Sequence, residues 1–135
     1  MKIIPEIVIH VNPETFHFIF EDHQMILDTC VHLKYDENGN YQFVSIGDRS
    51  VIPDSVFVPL FENQPLDPSI ERFDLLTAFL EYGIAQMFAN VRRPVLKPKI
   101  IIKDADSFQK YFSGYHKFFL EAISLAGGAR EVKFE

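Results

Sequence analysis

The chain has 135 residues and a formal charge of −6, and 47% of its residues are apolar. This length fits a single domain over residues 1–135, which can fold without disulfides or a structural metal. The acidic balance excludes nucleic acid and anionic membranes as main partners, because both require clustered positive charge. No apolar run approaches the ~20 residues of a membrane span, so we expect a soluble, cytoplasmic protein.

The first half of the chain alternates apolar and polar residues with the period of β-strands. Asn12-Pro13-Glu14 has turn chemistry and separates the first two strands of a hairpin. Glu21–His23 forms the next turn, and an Asn-Gly turn leads into the fourth strand. The predicted meander consists of Glu6–Val11, Thr15–Phe20, Gln24–Tyr35 and Tyr41–Ile46, followed by an extended connection over Gly47–Pro65.

The second half of the chain changes to the period of α-helices. Asp67 and Pro68 are typical of a helix start, and this helix ends near Asn90. The run KIIIK at residues 99–103 is typical of a buried parallel strand.

A second helix and a last strand complete the pattern. A capping box at Asp106–Gln109 starts the helix, a Gly-Gly pair at residues 127–128 ends it, and REVKFE at residues 130–135 forms the strand. The helix carries one apolar stripe, which we expect to face the core. The stripe consists of Phe108, Tyr111, Phe112, Tyr115, Phe118, Phe119, Ala122 and Ile123.

The order of elements predicts the fold class. A β-meander followed by helix, strand, helix and strand is the ribonuclease-H-like arrangement of a mixed α/β sheet. Two right-handed crossovers that move in the same direction along the sheet place both helices on one face. We therefore expect the second face to be covered only by solvent or by a partner.

The uncovered face brings titratable side chains together. If residues 12–15 form the first loop, His10 lies opposite His17, and pairing across the second turn places His17 opposite Asp28. Two imidazoles and one carboxylate are the composition of an iron or zinc site. The favoured interpretation is a polar cross-strand row in which Asp28 accepts a hydrogen bond from His17, and the metal site is the alternative. The same face is predicted to carry Glu6, Val8, Ile19, Ile26, Cys30 and His32.

Motifs of common enzyme classes are missing from the sequence, which has no GxSxG, P-loop, GxGxxG or HExxH. Cys30 is the only cysteine, so an intramolecular disulfide is excluded. A cysteine nucleophile needs an electropositive setting, whereas Cys30 lies near Asp28 in the predicted strand. We expect Cys30 to be a small buried residue.

Several stretches resemble the MreB family of bacterial actin-like proteins, in the amino-terminal subdomain of that family. YDENGNYQFVSIGD at residues 35–48 is similar to its strand, turn and strand, and residues 56–84 are similar to its connection and amphipathic helix. KPKIIIK at residues 97–103 matches its next strand. AISLAGGAREVKFE at residues 122–135 resembles the A-x-x-AGAREV motif, which is the most specific match. The resemblance covers the chain almost end to end.

The resemblance also exposes a departure at the end of the first strand. In the family this strand ends in an Asp-x-Gly-Thr phosphate loop, whose Asp organises Mg²⁺ and whose Gly lets backbone N–H groups approach phosphate. Here His10 stands at the Asp position and Asn12 at the Gly position. Pro13 removes an N–H donor, Glu14 adds a negative charge, and only Thr15 still offers a hydroxyl. The comparison implies a nucleotide loop that has lost its ligand.

Three hypotheses for function follow. The first is a non-catalytic MreB-like interaction or scaffold module, linked to bacterial cell shape or the cytoskeleton, which binds no ATP and no cofactor. Its expected partner is another protein or a second copy, bound through Val8, His10, His17, Ile19, Ile26 and His32 on the uncovered face. The second is a metal-dependent enzyme that uses His10, His17 and Asp28. The third is a ribonuclease-H-like nuclease, which requires converging carboxylates where this chain carries His10.

Overall fold

The computed structural model of the chain describes residues 4–61, 70–91, 96–112 and 114–135. The β-strands of this part are β1 (Glu6–Val11), β2 (Thr15–Phe20), β3 (His23–Asp28), β4 (Cys30–Tyr35), β5 (Tyr41–Ile46), β6 (Val56–Pro59), β7 (Lys99–Lys103) and β8 (Glu131–Phe134). Its α-helices are α1 (Ile70–Met87) and α2 (His116–Ala126), and a 3₁₀ turn covers Ala105–Phe108.

The larger sheet has five strands in the order β3-β2-β1-β7-β8. Strand β1 pairs antiparallel with β2 and parallel with β7, and β8 continues the sheet parallel to β7. The predicted hairpin register is confirmed, because His10 lies opposite His17 and Val11 lies opposite Phe16. The chain therefore has the mixed α/β sheet of the ribonuclease-H-like arrangement.

Both helices pack on one face of this sheet, as predicted. Phe16 and Phe18 point from β2 into the core, and the Phe16 ring meets the edge of Phe79 on α1 at a centroid distance of 5.3 Å. Helix α2 contributes Leu120 and Ile123, which are fully buried in the same cluster. Burial of these large side chains is the main source of stability for this layer.

The predicted third strand, Gln24–Tyr35, is wrong as a single element. The strand breaks at Thr29, and β4 pairs with β5 and β6 in a separate three-stranded sheet. Thr29 keeps the last contacts with the first hairpin, since its N–H donates to the carbonyl of Glu14 and its hydroxyl to that of Pro13. The break occurs here because the Asp28 N–H already donates to Gly47 and the Thr29 carbonyl accepts from Leu60, residues that directly follow β5 and β6. The connection over Gly47–Pro65 was predicted to be only extended, but Val56–Pro59 within it forms strand β6.

The predicted pairing of β2 with β3 is wrong by two residues. His17 lies opposite Ile26 instead of Asp28. The turn is shorter than predicted because Glu21 adopts the left-handed conformation, with φ of 54°, that two-residue hairpin turns require. His23 therefore already belongs to β3. A shift of two residues keeps every side chain on its predicted face, so the sorting of core and outer residues within β3 survives.

The predicted start of the second helix at Asp106–Gln109 is also wrong. Residues 105–108 form the 3₁₀ turn, and α2 begins only at His116. Gly114, with φ of 91°, lies between the two helical segments in a conformation that α-helices do not contain. The Asp106 carboxylate lies 2.9 Å from His116 Nε2, where it links the 3₁₀ turn to α2.

The aromatic stripe that was predicted to face the core divides between two environments. Phe108 is fully buried, and Phe112 and Phe119 stack at a centroid distance of 4.6 Å against the core. Tyr115 and Phe118, however, are 72% and 74% exposed. The prediction is wrong for these two residues because the periodicity was extended through a segment that is not α-helical.

The helix start predicted at Asp67 and Pro68 lies outside the described residues. The described part of the first helix ends at Met87, and a turn over residues 88–90 follows it, close to the predicted end. Within the described ranges, no helix combines the length and the apolar character that crossing a membrane requires.

A substitution at Gly83 tests how closely α1 packs on the sheet. A Cβ atom at this position would overlap the ring of Phe18. Helix propensity alone predicts that Gly83→Ala stabilises the chain by about 1 kcal/mol. We expect the opposite, a loss of about 1–3 kcal/mol, because overpacking forces the ring or the helix to move. Urea unfolding followed by circular dichroism measures the difference.

The matched control adds Phe18→Leu, which removes the ring. Phe18→Leu destabilises the chain by itself, but Gly83→Ala should cost much less in this background, so the two changes are not additive. Stabilisation by Gly83→Ala in the parent chain would contradict the close approach of α1 to β2.

Candidate functional site

The turn between β1 and β2 is closed by the side chain of Asn12. Its Oδ1 atom accepts hydrogen bonds from the backbone N–H groups of Glu14, at 2.8 Å, and Thr15, at 2.9 Å. Its Nδ2 atom donates to the Thr15 hydroxyl at 3.1 Å. A short Asn side chain that binds the backbone two and three residues later is a common way to stabilise a turn.

The backbone of this turn has no N–H group left for a ligand. The N–H of Asn12 donates to the Thr15 carbonyl at 3.1 Å, and Pro13 has no N–H. The N–H groups of Glu14 and Thr15 bind Asn12, as described above. A phosphate cradle requires several free N–H groups that converge on one point. The turn therefore already contains its own acceptor, the Asn12 amide oxygen, where a phosphate loop would bind oxygen atoms of the ligand.

His10 is the last residue but one of β1 and lies between two polar neighbours. Its ring centroid is 6.0 Å from that of His17, and its Nδ1 atom lies 3.3 Å from Asp104 Oδ2. Asp104 directly follows β7 and adopts φ of 66°, which is unusual for a residue other than glycine. The sequence reasoning missed Asp104. The available signal was its position after a parallel strand that neighbours β1, since the carboxyl ends of parallel strands meet at one edge of a sheet.

The metal alternative depended on His10, His17 and Asp28 meeting at one point. His10 and His17 are neighbours, but Asp28 accepts hydrogen bonds from the backbone and the guanidinium of Arg49, at 3.2 and 3.1 Å. His17 Nε2 instead lies 3.0 Å from Gln24 Oε1. Among the described residues, no three His, Cys, Asp or Glu side chains form a group that could hold a metal ion. The predicted hydrogen bond between His17 and Asp28 is therefore wrong.

The uncovered face of the five-stranded sheet is termed the outer face, and it carries Val8, His10, His17, Ile19 and Ile26 as predicted. The first four of these are half-buried by their neighbours, whereas Ile26 is 62% exposed. Ile101 of β7 lies beside Val8 and is only 8% exposed. The outer face thus has an apolar centre, of which Ile26 is the most exposed side chain.

His32 does not belong to the outer face, which corrects its predicted place in the partner surface. It lies on β4 in the second sheet and is only 2% exposed. Its Nε2 atom donates to the carbonyl of Asp48 at 2.9 Å, and its Nδ1 atom lies 3.3 Å from Ser55 Oγ. Because the strand breaks at Thr29, β4 belongs to a different sheet, and His32 lies away from the outer face.

Cys30 also lies on β4, so it does not belong to the outer face as predicted, and its side chain is fully buried. Burial raises the pKa of the Cys30 thiol, and the opposing effect of the nearby Arg49 is smaller. The thiol therefore stays protonated at neutral pH, and a protonated thiol is a poor nucleophile. Its burial agrees with the expectation of a small structural residue.

A cleft of about 390 Å³ lies at the carboxyl ends of β7 and β8 and was not predicted from the sequence. Its lining residues are Asp104, Ala105, Asp106, Ser107, Lys117, Phe134 and Glu135. One wall is supported by the hydrogen bond between Asp106 and His116, a histidine to which the sequence assigned no partner. The Ser107 hydroxyl lies between two carbonyl acceptors, that of Asp104 at 2.7 Å and that of Val11 on β1 at 3.1 Å, and so links this wall to β1.

The chain matches no protein-family model and no curated protein. Among solved structures, a non-polymerising MamK mutant bound to AMPPNP superposes on 99% of this chain with a TM-score of 0.70 and 11% sequence identity. MamK is an actin-like bacterial cytoskeletal protein, and this chain spans 42% of the MamK chain. At this identity the likeness shows the fold alone. The chain has the fold of an actin-like subdomain, and the likeness does not single out the MreB family.

Two substitutions at Asn12 separate the roles of its amide. Asn12→Ala removes the acceptor of two N–H groups and should cost about 1–2 kcal/mol of stability, similar to the loss of a helix cap. Asn12→Asp keeps the acceptor and should cost less than half as much. Thermal melting at neutral pH measures both variants. Equal losses for Ala and Asp would contradict the assignment of Oδ1 as the atom that closes the turn.

Proposed function

We propose that the chain is a non-catalytic, actin-like interaction module that neither binds nor hydrolyses ATP. The observation that carries the proposal is the closed turn after β1, in which each backbone N–H already donates to the chain itself. Glu14 adds a negative charge at the same turn, which would repel a phosphate group. The MamK structure was solved with bound AMPPNP, so the proposed loss of nucleotide binding separates this chain from that protein.

The more specific part of the proposal is a role beside MreB-like proteins in bacterial cell shape or the cytoskeleton. It rests on the motif resemblance at residues 122–135 and on the actin-like fold. An actin-like subdomain without a nucleotide loop retains the surfaces of its sheet and helices. Protein contact is the activity that such surfaces support without further chemistry.

The outer face is the proposed contact surface for a protein partner or a second copy. Val8, Ile19 and Ile26 supply apolar anchors there, and His10 and His17 supply polar contacts around them. A central apolar cluster with polar neighbours is the usual composition of a protein interface. His32 is left out of this surface because it is buried in the second sheet.

Calorimetric titration with ATP and Mg²⁺ tests the nucleotide part of the proposal. At about 100 µM protein and nucleotide up to about 5 mM, we expect no saturable heat, which corresponds to a Kd weaker than about 1 mM. A matched variant, Asn12→Gly with Glu14→Gly, frees backbone N–H groups and serves as the control for the turn. Saturable binding of ATP by the parent chain would overturn the proposal.

Charge substitution tests the outer face. Ile26→Asp should change the stability of the isolated chain by less than about 0.5 kcal/mol, because the side chain is 62% exposed. The same substitution should abolish any association through the outer face, measured by sedimentation velocity at increasing concentration. Val51→Asp, at a residue that is 95% exposed away from this face, is the control. A chain that stays monomeric and tolerates charge at both Ile26 and Val8 contradicts this surface.

A further inference from the structure

Strand β3 lies at the edge of the five-stranded sheet, so only one side of its backbone pairs with β2. The N–H of Asp28 donates to the carbonyl of Gly47, which shows that this N–H points away from β2. Because every second residue of a strand directs its N–H and C=O groups to the same side, those of Gln24 and Ile26 point away from β2 as well. In the described part of the chain, no other backbone group binds them there. These four backbone groups are termed the β3 edge.

The β3 edge lacks the features by which proteins keep a sheet edge from pairing with another chain. Such features are charged side chains, proline, a short strand or a bulge. The other edge strands of the described sheets have them, since β8 carries Glu131 and Lys133, β6 has four residues and ends in Pro59, and a register shift interrupts the pairing of β5. Strand β3 has six residues, pairs with β2 without a shift, and contains no charge and no proline from Gln24 to Leu27.

The side chains of β3 define what an added strand must carry. Ile26 is 62% exposed on the outer face, and Met25 is half-buried against the core on the face that the helices cover. Side chains of an added strand alternate between the same two faces. An occupant with apolar residues at alternate positions would therefore cover Ile26.

The charges at one end of the β3 edge favour a basic occupant. Glu21 and Asp22 form the turn before β3, and both side chains are exposed. Neither carboxylate forms an ion pair with any residue that the structure describes. A second copy of the chain would bring the same two carboxylates and a net charge of −6. Charge complementarity thus favours a segment with Lys or Arg over a second copy.

We propose that the β3 edge binds an extended, basic segment of a partner protein, which joins the sheet as a further strand beside β3. Backbone hydrogen bonds to Gln24 and Ile26 hold the segment, and a Lys or Arg of the segment lies beside Glu21 and Asp22. Addition of a strand to an exposed sheet edge is a common mode of peptide recognition and needs no pocket. The inference rests on the proposed interaction function and names the class of partner. It does not depend on the absence of nucleotide binding.

Fluorescence anisotropy with the labelled peptide KTVTVTK tests the proposal, at concentrations of the intact chain up to about 1 mM. We expect saturable binding. The matched peptide ETVTVTE, which carries acidic ends, should bind at least about fivefold more weakly because it meets Glu21 and Asp22. No saturable binding of the basic peptide, or equal binding of the two peptides, would overturn the proposal.

Proline at residue 24 tests the backbone hydrogen bonds. Gln24→Pro removes an N–H of the β3 edge and leaves the pairing with β2 intact, so circular dichroism should show a folded chain. Its Kd for the basic peptide should rise at least about fivefold, whereas Gln24→Ala, which keeps the N–H, should raise it less than about twofold. If Gln24→Pro does not fold, Ile26→Lys replaces it and should raise the Kd to the same extent. A folded variant of either kind that binds like the parent chain would contradict the β3 edge.

A substitution away from the edge separates this inference from the proposed outer-face contact. Val8 lies on β1, and β2 separates β1 from β3. Peptide binding that is lost with Gln24→Pro and retained with Val8→Asp supports the β3 edge and excludes side-chain contacts across the outer face. Binding that is lost only with Val8→Asp would overturn the β3 edge and leave the outer face as the contact surface. Saturable ATP binding would overturn the proposed function without affecting either peptide result.

Discussion

The hydrogen bonds around Asn12 are the constraint on which the rest of the structure depends. The Asn12 side chain folds residues 12–15 into a closed turn, which sets the register of β1 with β2. The carbonyl groups of Pro13 and Glu14 then bind Thr29, which holds the junction of β3 and β4 against this turn. The junction between the two sheets therefore packs against the turn at which the first strand of the actin-like subdomain ends.

The same turn links the fold to the proposed function. A phosphate loop leaves its N–H groups free and depends on glycine to let the ligand approach. Here the amide oxygen of Asn12 occupies those donors, and Pro13 supplies none. The nearby histidine pair and Asp104 form contacts with one another and do not gather a group of metal ligands within the described ranges. The described surface offers an outer sheet face with an apolar centre, and exposed apolar side chains on α2.

Much of the sheet was predictable from the sequence, and the reason is that local rules control it. Turn chemistry at Asn12-Pro13 and alternation in the first two strands are sufficient to predict their pairing. The break at Thr29 was not predictable in this way, because it depends on hydrogen bonds with Gly47 and Leu60, which lie much later in the chain. The shift between β2 and β3 depends on a left-handed Glu21, a conformation that the residue type does not favour. The exposure of Tyr115 and Phe118 beside α2 was not predictable, because aromatic periodicity indicates an apolar face but not whether another element packs on it.

Nuclear magnetic resonance of the ¹⁵N-labelled chain gives the most direct test of the closed turn, through the amide protons of Glu14 and Thr15. Because both donate to Asn12, their exchange with solvent should be slower than in the Asn12→Ala variant, and their chemical shifts should not change when Mg²⁺ and AMPPNP are added. Rapid exchange of both amides in the parent chain, together with saturable shifts on addition of nucleotide, would show that the turn is open to phosphate and would contradict the account.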